Sequence, residues 1–425
     1  MAAPFRFLHL ADLHLETSFG GRPETRTRLR RATCEAFERG VELALRERLH
    51  AVLVAGDLFD DELLSLRTEA WLVRQVRRLA DAGTWLLAVC GNHDPGAAGQ
   101  RMARLAAGDG SDPWRARVRL FTDPKPTPVE VTDASGRAVA VVVGAGHASD
   151  REAANLAGRF PDLPPRLPVV GLLHTQIDAA RGAERHDRYA PSTRADYEAR
   201  RGYAYWALGH VHQAGRALEG LPVFYAGNLQ GRNPREAGAK GGLLVEAHAG
   251  TAAEPRFVRL GPVRWARLPI ELAAGDSAAA LVGALGRRIA QEREAPMEEL
   301  AVVLELSGET LLAARLRGED ERLALEEDLA AGTGALEVQL RDAGLRPPVD
   351  RERLREAPSV LAEALRLLER AAEDDTLLLS LAPEALARAL PGEAPRAEAL
   401  RELLAGLEPE LVQRFLPEAP VGGRP

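Results

Sequence analysis

Seven residues of this chain have the types and spacing of a divalent-metal ligand set. They are Asp12 and His14 in HLADLHLE, Asp57 in VAGDLFDD, Asn92 in CGNHDP, His174 in LLHT, and His210 and His212 in LGHVHQ. Each lies at or just after the end of a short apolar run. Such runs are expected to be buried strands, whose ends carry the site in an open α/β sheet. In an extended segment residues two apart point the same way, so Asp12-x-His14 offers a carboxylate and an imidazole to one ion, and His210-x-His212 offers two imidazoles. Asp57 follows Gly56, which lets the backbone turn, and its two oxygens can bridge cations about 3.5–4 Å apart. Asn92 contributes a neutral amide oxygen. His93 then stands beside the ions rather than among their ligands, placed to contact a scissile phosphate or protonate a leaving oxygen. Asp94 is the carboxylate expected to orient it.

Each block alone has a plainer explanation. Asp12 and Asp57 suit helix caps, although Asp60 or Asp61 suits that task better than Asp57. Asn92–His93 reads as a turn, His174 as a structural histidine, and His210 and His212 as a strand edge. The five blocks together point to metal chemistry, with Gly-His-x-His and Asp-x-His carrying most weight and His174 and Asn92 leaning on them. Half of the ten histidines fall in these blocks; His9, His50, His147, His186 and His248 are assigned to packing, loops or surface. A donor set without thiolate suits manganese, iron or zinc and disfavours a structural cysteine-type zinc site. Two such ions would lower the pKa of a bridging water enough to give hydroxide near neutral pH. The expected reaction is phosphoester hydrolysis by water without a covalent enzyme intermediate. No GxxxxGK[ST] loop is present, which speaks against ATP hydrolysis by this chain.

The elements that must position these residues alternate at first. FRFLHLAD is strand-like, a helix follows over about Glu24–Arg48, and LHAVLVAGD is a buried strand. A second helix is predicted over about Asp61–Ala82, then the strand TWLLAVCGNHD. This βαβαβ pattern predicts a mostly parallel sheet covered by helices. VRLF, PVEVTD, AVAVVVGA, LPVVGLLHT, YAYWALGHVH, LPVFYAGNLQ and KGGLLVEAH read as further short strands, with a hairpin-type turn at Asp133–Gly136. The predicted class is α/β: two facing sheets flanked by helices over residues 1–262. A small β-α-β segment, to which ALEVQLRDAGLRPP adds a strand, is expected over 263–347, and a helical C-terminal region over 348–425. The final APVGGRP reads as a frayed tail.

The 425 residues carry a net charge of −7, which argues against a global nucleic-acid binder but leaves room for a local basic face. Lysine occurs only at Lys125 and Lys240, and this arginine bias is read as coding composition. Cys34 and Cys90 imply no disulfide framework. With no leader-like start and no spanning stretch, the expectation is a cytoplasmic protein without a membrane segment.

Together the blocks resemble the calcineurin-like metallophosphoesterases, whose pattern is D-x-H, GD-x-x-(D), GNH(D/E), H and GH-x-H, over about residues 5–262. FLHLADLHLE, AGDLFD and GNHDP look like the SbcD nucleases and their meiotic-recombination (MRE-type) relatives. YAGNLQGRNPREAGAKGG resembles the YhaO-type bacterial branch of DNA-repair exonucleases. The resemblance implies the two-sheet α-β-β-α fold, with Asp12, His14, Asp57 and His212 holding one ion and Asp57, Asn92, His174 and His210 the other. His93 is implied as the leaving-group histidine. Some relatives have a histidine where this chain has Asp60. The resemblance also implies Mn²⁺, exonuclease or endonuclease action on DNA, a homodimer, and an SMC-like (SbcC/YhaN-type) ATPase partner. By it, segment 263–347 caps the DNA and the helical region docks the ATPase. Arg232 and Arg235, flanking the GNLQG loop, are candidate contacts to DNA phosphates. Arg22, Arg26, Arg28, Arg30 and Arg31 read better as a solvated helix face. A phosphatase or cyclic-nucleotide phosphodiesterase on the same core is the alternative, and a silent scaffold a third, disfavoured because all seven ligands are present.

Overall fold

The first half of the chain supplies short runs of leucine, valine and alanine between amphipathic helices, and these condense into two stacked sheets. The computed structural model describes residues 4–60, 65–96, 113–164, 166–178, 188–293, 298–348, 358–383, 386, 390 and 392–415. These fall into two units, one running to Ala266 and including Arg293–Ala301, the other formed by Arg267–Glu292 and Val302 onward.

In the first unit, β1 (Phe5–Leu10), β2 (Ala51–Ala55), β3 (Trp85–Val89) and β4 (Val118–Phe121) are parallel neighbours. The second sheet holds β5 (Thr127–Thr132), β6 (Ala138–Ala145), β7 (Val169–His174), β8 (Tyr205–Gly209), β9 (Gly215–Arg216) and β10 (Val223–Tyr225), in the order β5-β6-β7-β8-β10-β9. Later strands β11 (Gly241–Ala247) and β12 (Arg256–Arg259) return to extend the first sheet antiparallel beside β1. The strands read as continuous apolar runs because both faces are covered. On β2, Ala51, Leu53 and Ala55 face the other sheet with Phe7, Leu172, Tyr205 and Phe224, while Val52 and Val54 face the helices. Period-two alternation along the strand produces this division. The helices are α1 (Pro23–Arg46) and α2 (Leu66–Asp81), which bring Phe37 and Leu79 to that outer layer. A third layer covers the second sheet with Leu156, Phe160 and Tyr197. Each fully buried leucine or phenylalanine contributes about 1.5–3 kcal/mol.

Helix α2 is shorter than expected from the sequence. Ser65 caps it, its hydroxyl accepting from Thr68 N at 3.2 Å, so Asp60 is not the cap. Residues 61–64 lie outside the described residues, as do His186 and the expected tail 419–425.

The other unit includes most of a three-stranded sheet in the order β13 (Val263–Leu272), β14 (Glu299–Glu309), β15 (Glu337–Arg346). Helix α3 (Ala278–Glu292) buries Leu281, Leu285 and Ile289, and α4 (Glu319–Thr333) buries Leu325 and Leu329. Helix α4 and strands β9 and β12 lie outside the elements expected from the sequence. Helices α5 (Val360–Glu373), α6 (Asp375–Ser380) and α7 (Glu393–Phe415) share a small core of Ala371, Leu378, Ala397 and Leu400.

Candidate metal centre

The loops leaving β1, β2, β3, β7 and β8 converge. The first two run side by side, with Asp12 N donating to Gly56 O at 3.1 Å and His14 N to Asp57 O at 2.9 Å. Holding these loops together bends the backbone into the left-handed region at Asp12 (φ 49°), His14 (48°), Asp57 (51°) and His210 (103°). For a residue with a Cβ this costs about 1–2 kcal/mol each, and such strain gathers at functional sites. Two glycines make room. A Cβ on Gly56, itself at φ 87°, would lie 2.3 Å from His174 Nδ1, and one on Gly91 would lie 2.1 Å from Asp57 Oδ1.

The histidine hydrogen bonds determine where lone pairs point. His174 Nδ1 lies 2.9 Å from Ala55 O, an obligatory acceptor, so Nδ1 carries the proton and Nε2 is a lone pair. That lone pair faces Asn92 Oδ1 at 3.0 Å and Asp57 Oδ2 at 3.5 Å. His14 Nδ1 donates to Asp60 Oδ1 at 2.8 Å, and His212 Nδ1 to Glu236 Oε1 at 2.9 Å. Their two Nε2 lone pairs then face one another at 3.4 Å, with Asp57 Oδ2 3.8 Å from His14 and Asp12 Oδ1 4.0 Å from His212. Acceptors pointed at acceptors are satisfied by cations. Donor atoms of Asp12, His14 and His212 lie within 4.8 Å of one another, as do those of Asp12, Asp57 and His174.

The charges agree. Burial, then the neighbouring Asp57, pushes the Asp12 carboxyl well above the usual range, and burial lifts Asp57 to about 6. Burial holds His14 down at about 3, so its ring is neutral and able to ligate. A buried carboxylate pair beside neutral imidazoles fits divalent ions.

Residues 5–214 match the calcineurin-like phosphoesterase family. By this domain the chain belongs to the calcineurin-like metallophosphoesterases. It is similar to the uncharacterized metallophosphoesterase YhaO of Bacillus subtilis, 30% identical over 286 residues that make up 66% of each chain. It is also similar to the DNA double-strand break repair protein Mre11 of Haloferax volcanii, 28% identical over 79% of this chain and 67% of that one. The chain thus spans about two thirds of the length of these relatives. A solved dimetal phosphatase from Danio rerio aligns over 60% of this chain and 98% of its own, at 14% identity and a TM-score of 0.35. The family assignment and the buried Asp and His groups together support hydrolysis of phosphoester bonds with divalent metal. Among the described residues no helix is long and apolar enough to cross a membrane.

Within this metallophosphoesterase two expectations need correction. Asp94 does not orient His93. Its carboxylate accepts from Gly91 N at 2.7 Å, Leu58 N at 2.7 Å and Phe59 N at 3.4 Å, because buried amides at the β2 and β3 exits need an acceptor there. Burial, then Asp57, lifts Asp94 to about 8. Asp60, one of two residues suited by sequence to a helix cap, is the partner of His93, with Nδ1 to Oδ1 at 2.7 Å, and it also holds His14 and accepts from Thr17. This Asp60 bond lifts His93 to about 9.

His210 is not a member of the tight donor groups, but its ring stands 5.2 Å from that of His174. Its backbone N–H donates to Asp12 Oδ1 at 3.1 Å, and its Nε2 lies 3.2 Å from Gln176 Oε1. Arg232 is engaged within the site: Nη2 donates to Glu236 Oε1 at 3.2 Å and Nη1 lies 4.0 Å from Asp60 Oδ1. Arg235 is exposed. His147 is buried, its Nε2 2.7 Å from His174 O. Glu236 and Gln176 went unnoticed in the sequence; a signal was present only for Glu236, which sits in the GNLQGRNPRE stretch read for family resemblance.

Proposed function

We propose that the protein is a two-metal DNA nuclease that cleaves phosphodiester bonds, as exonuclease or endonuclease, in DNA repair. The observation carrying this reading is its similarity to a protein named for DNA double-strand break repair, over 79% of this chain. Asp12, His14, Asp57 and His212 would hold one ion, and Asp57, Asn92, His174 and His210 the other, with Mn²⁺ the expected metal. When bound, such ions supply positive charge to the phosphoryl oxygens and activation of water.

The chain's own side chains do the rest. His93 has its Nδ1 tied to Asp60 and is protonated at neutral pH, so Nε2 can give its proton to the leaving oxygen. Its side chain is 41% exposed while that of His14 is fully buried, so His93 is the ring accessible to substrate. The His93 N–H donates to Asp57 Oδ1 at 3.0 Å, which ties the acid to the bridging carboxylate. Exposed Arg235 offers charge to the DNA backbone. We further propose a cytoplasmic homodimer working with an SMC-like ATPase, with the helical C-terminal region docking that partner.

Linear duplex and single-stranded DNA, incubated with Mn²⁺, Mg²⁺ or chelator beside bis-p-nitrophenyl phosphate, test the proposal. Metal-dependent loss of DNA is expected. Turnover of small phosphoesters alone would replace it with the phosphatase or cyclic-nucleotide phosphodiesterase reading.

A further inference from the structure

The imidazoles of the site are supported in two ways. His174 has its Nδ1–H anchored on a main-chain carbonyl, Ala55 O, which no side-chain substitution removes. His14 and His212 are anchored on side-chain carboxylates, Asp60 and Glu236. Asp60 serves His93 as well, so its removal would disturb ligand and acid together. Glu236 bonds His212 and stands in no such contact with His93.

Glu236 is built in rather than draped over the site. Its Oε1 takes the His212 Nδ1–H at 2.9 Å and Arg232 Nη2 at 3.2 Å. Its Oε2 takes Asn228 Nδ2 and Arg232 N, both at 2.7 Å. The residue sits on a single turn, Pro234–Glu236, started by Asn233, whose Oδ1 accepts from Arg235 N at 2.9 Å. Lys240 Nζ fixes the other end of His212 by donating to its carbonyl at 2.9 Å. Arg232 Nη2 also comes within 3.2 Å of His212 Nδ1, so two tautomers compete. The carboxylate contact is shorter, and a lone pair on Nδ1 would face a negatively charged oxygen at 2.9 Å. The Nδ1–H tautomer therefore wins, and Nε2 is left to ligate.

We propose that Glu236, locked by Arg232 and Asn228, is a positioning residue that sets the His212 tautomer and so supports one ion position selectively, the one shared with Asp12 and His14. The proposal rests on the two-metal reading above. Arg232, poised between Glu236 and Asp60, steadies both side-chain anchors of that position. The position that includes His174 keeps its main-chain anchor.

Mn²⁺ titration of the full chain by calorimetry, with electron paramagnetic resonance to separate single from paired ions, tests this. Wild type should bind two ions. E236A should keep one at wild-type affinity and hold the other about 10–100-fold more weakly. E236Q, which retains an acceptor oxygen, should recover most of the loss. Two unchanged affinities in E236A, or equal weakening of both, would overturn the positioning role. No Mn²⁺ bound by wild type would overturn the metal reading beneath it. A readout independent of folding in the variants is the ring ¹⁵N signal of His212 in wild type loaded with Zn²⁺. A protonated Nδ1 is expected, and a protonated Nε2 would overturn the proposal.

Discussion

Asp57 and Leu329 are almost equally buried, at 2% and 0% exposure, yet their surroundings are opposites. Asp57 lies among Asp12, His14, Asn92 and His174, on loops whose backbone is left-handed at several residues. Leu329 lies on α4, a regular helix that closes with Gly334 in the left-handed conformation suited to a C-cap, and that packs on α3 with its buried Leu281, Leu285 and Ile289. The second region is held by apolar burial and satisfied backbone, and needs nothing else. The first gathers buried charge and strained dihedrals that a fold selected for stability alone would avoid. Side by side, they show which part of the molecule is arranged for more than stability.

The comparison sharpens most at Asp57. Asp57→Ala is expected to release both ions and lower activity about 10³-fold or more, roughly 4 kcal/mol of lost stabilisation. Metal content by mass spectrometry checks it, and two retained ions would end the bridging assignment. Next is His93→Ala, expected to lower cleavage about 10²–10⁴-fold while metal content stays at the wild-type level. Ions lost from that variant would mean His93 is a ligand. Leu329→Ala should act the other way round, lowering stability by about 2–5 kcal/mol with no change in Mn²⁺ affinity. Chemical denaturation and calorimetry together read both quantities, and a drop in affinity would break the contrast.

The smallest effect is in pH. Burial raises Asp57 from 3.8 unfolded to about 6 folded, so the fold favours its protonated form. Stability from this group is present at low pH and lost as pH rises through about 6. An added ion must displace that proton at pH 5 but not at pH 7. The rise in Tm on adding Mn²⁺ is therefore expected to be larger at pH 7 than at pH 5, by thermal unfolding with and without chelator. Equal rises would show that Asp57 does not face the ion.

Asp12, His14, Asp57, His174 and His212, which the fold gathers, stand out in the sequence because their strands are apolar and the motif spacing is short. Two-sheet architecture followed from the same runs. Asp60 and Glu236 could not be assigned roles, because each is defined by a ring 46 or 24 residues away in the chain. The role of Asp94 is not legible from its adjacency to His93, because nearby amides claim its oxygens. Arg232, a candidate DNA contact, has inward carboxylate partners that are invisible without the fold. Helix α4 was missed because charged and apolar residues mix around it with little periodicity, in the stretch EDERLALEEDLAAGT.

Asp94 has a mechanical meaning beyond its corrected role. One carboxylate clasps the amides of Leu58 and Phe59 after β2 and of Gly91 after β3. Asp57 and His93 are the immediate sequence neighbours of that clasp. The spacing between a ligand and the acid is thereby gauged by a single knot rather than by two loops moving separately. Thermal breathing that parts the strand ends must undo that knot before the ligand and the acid can drift out of register.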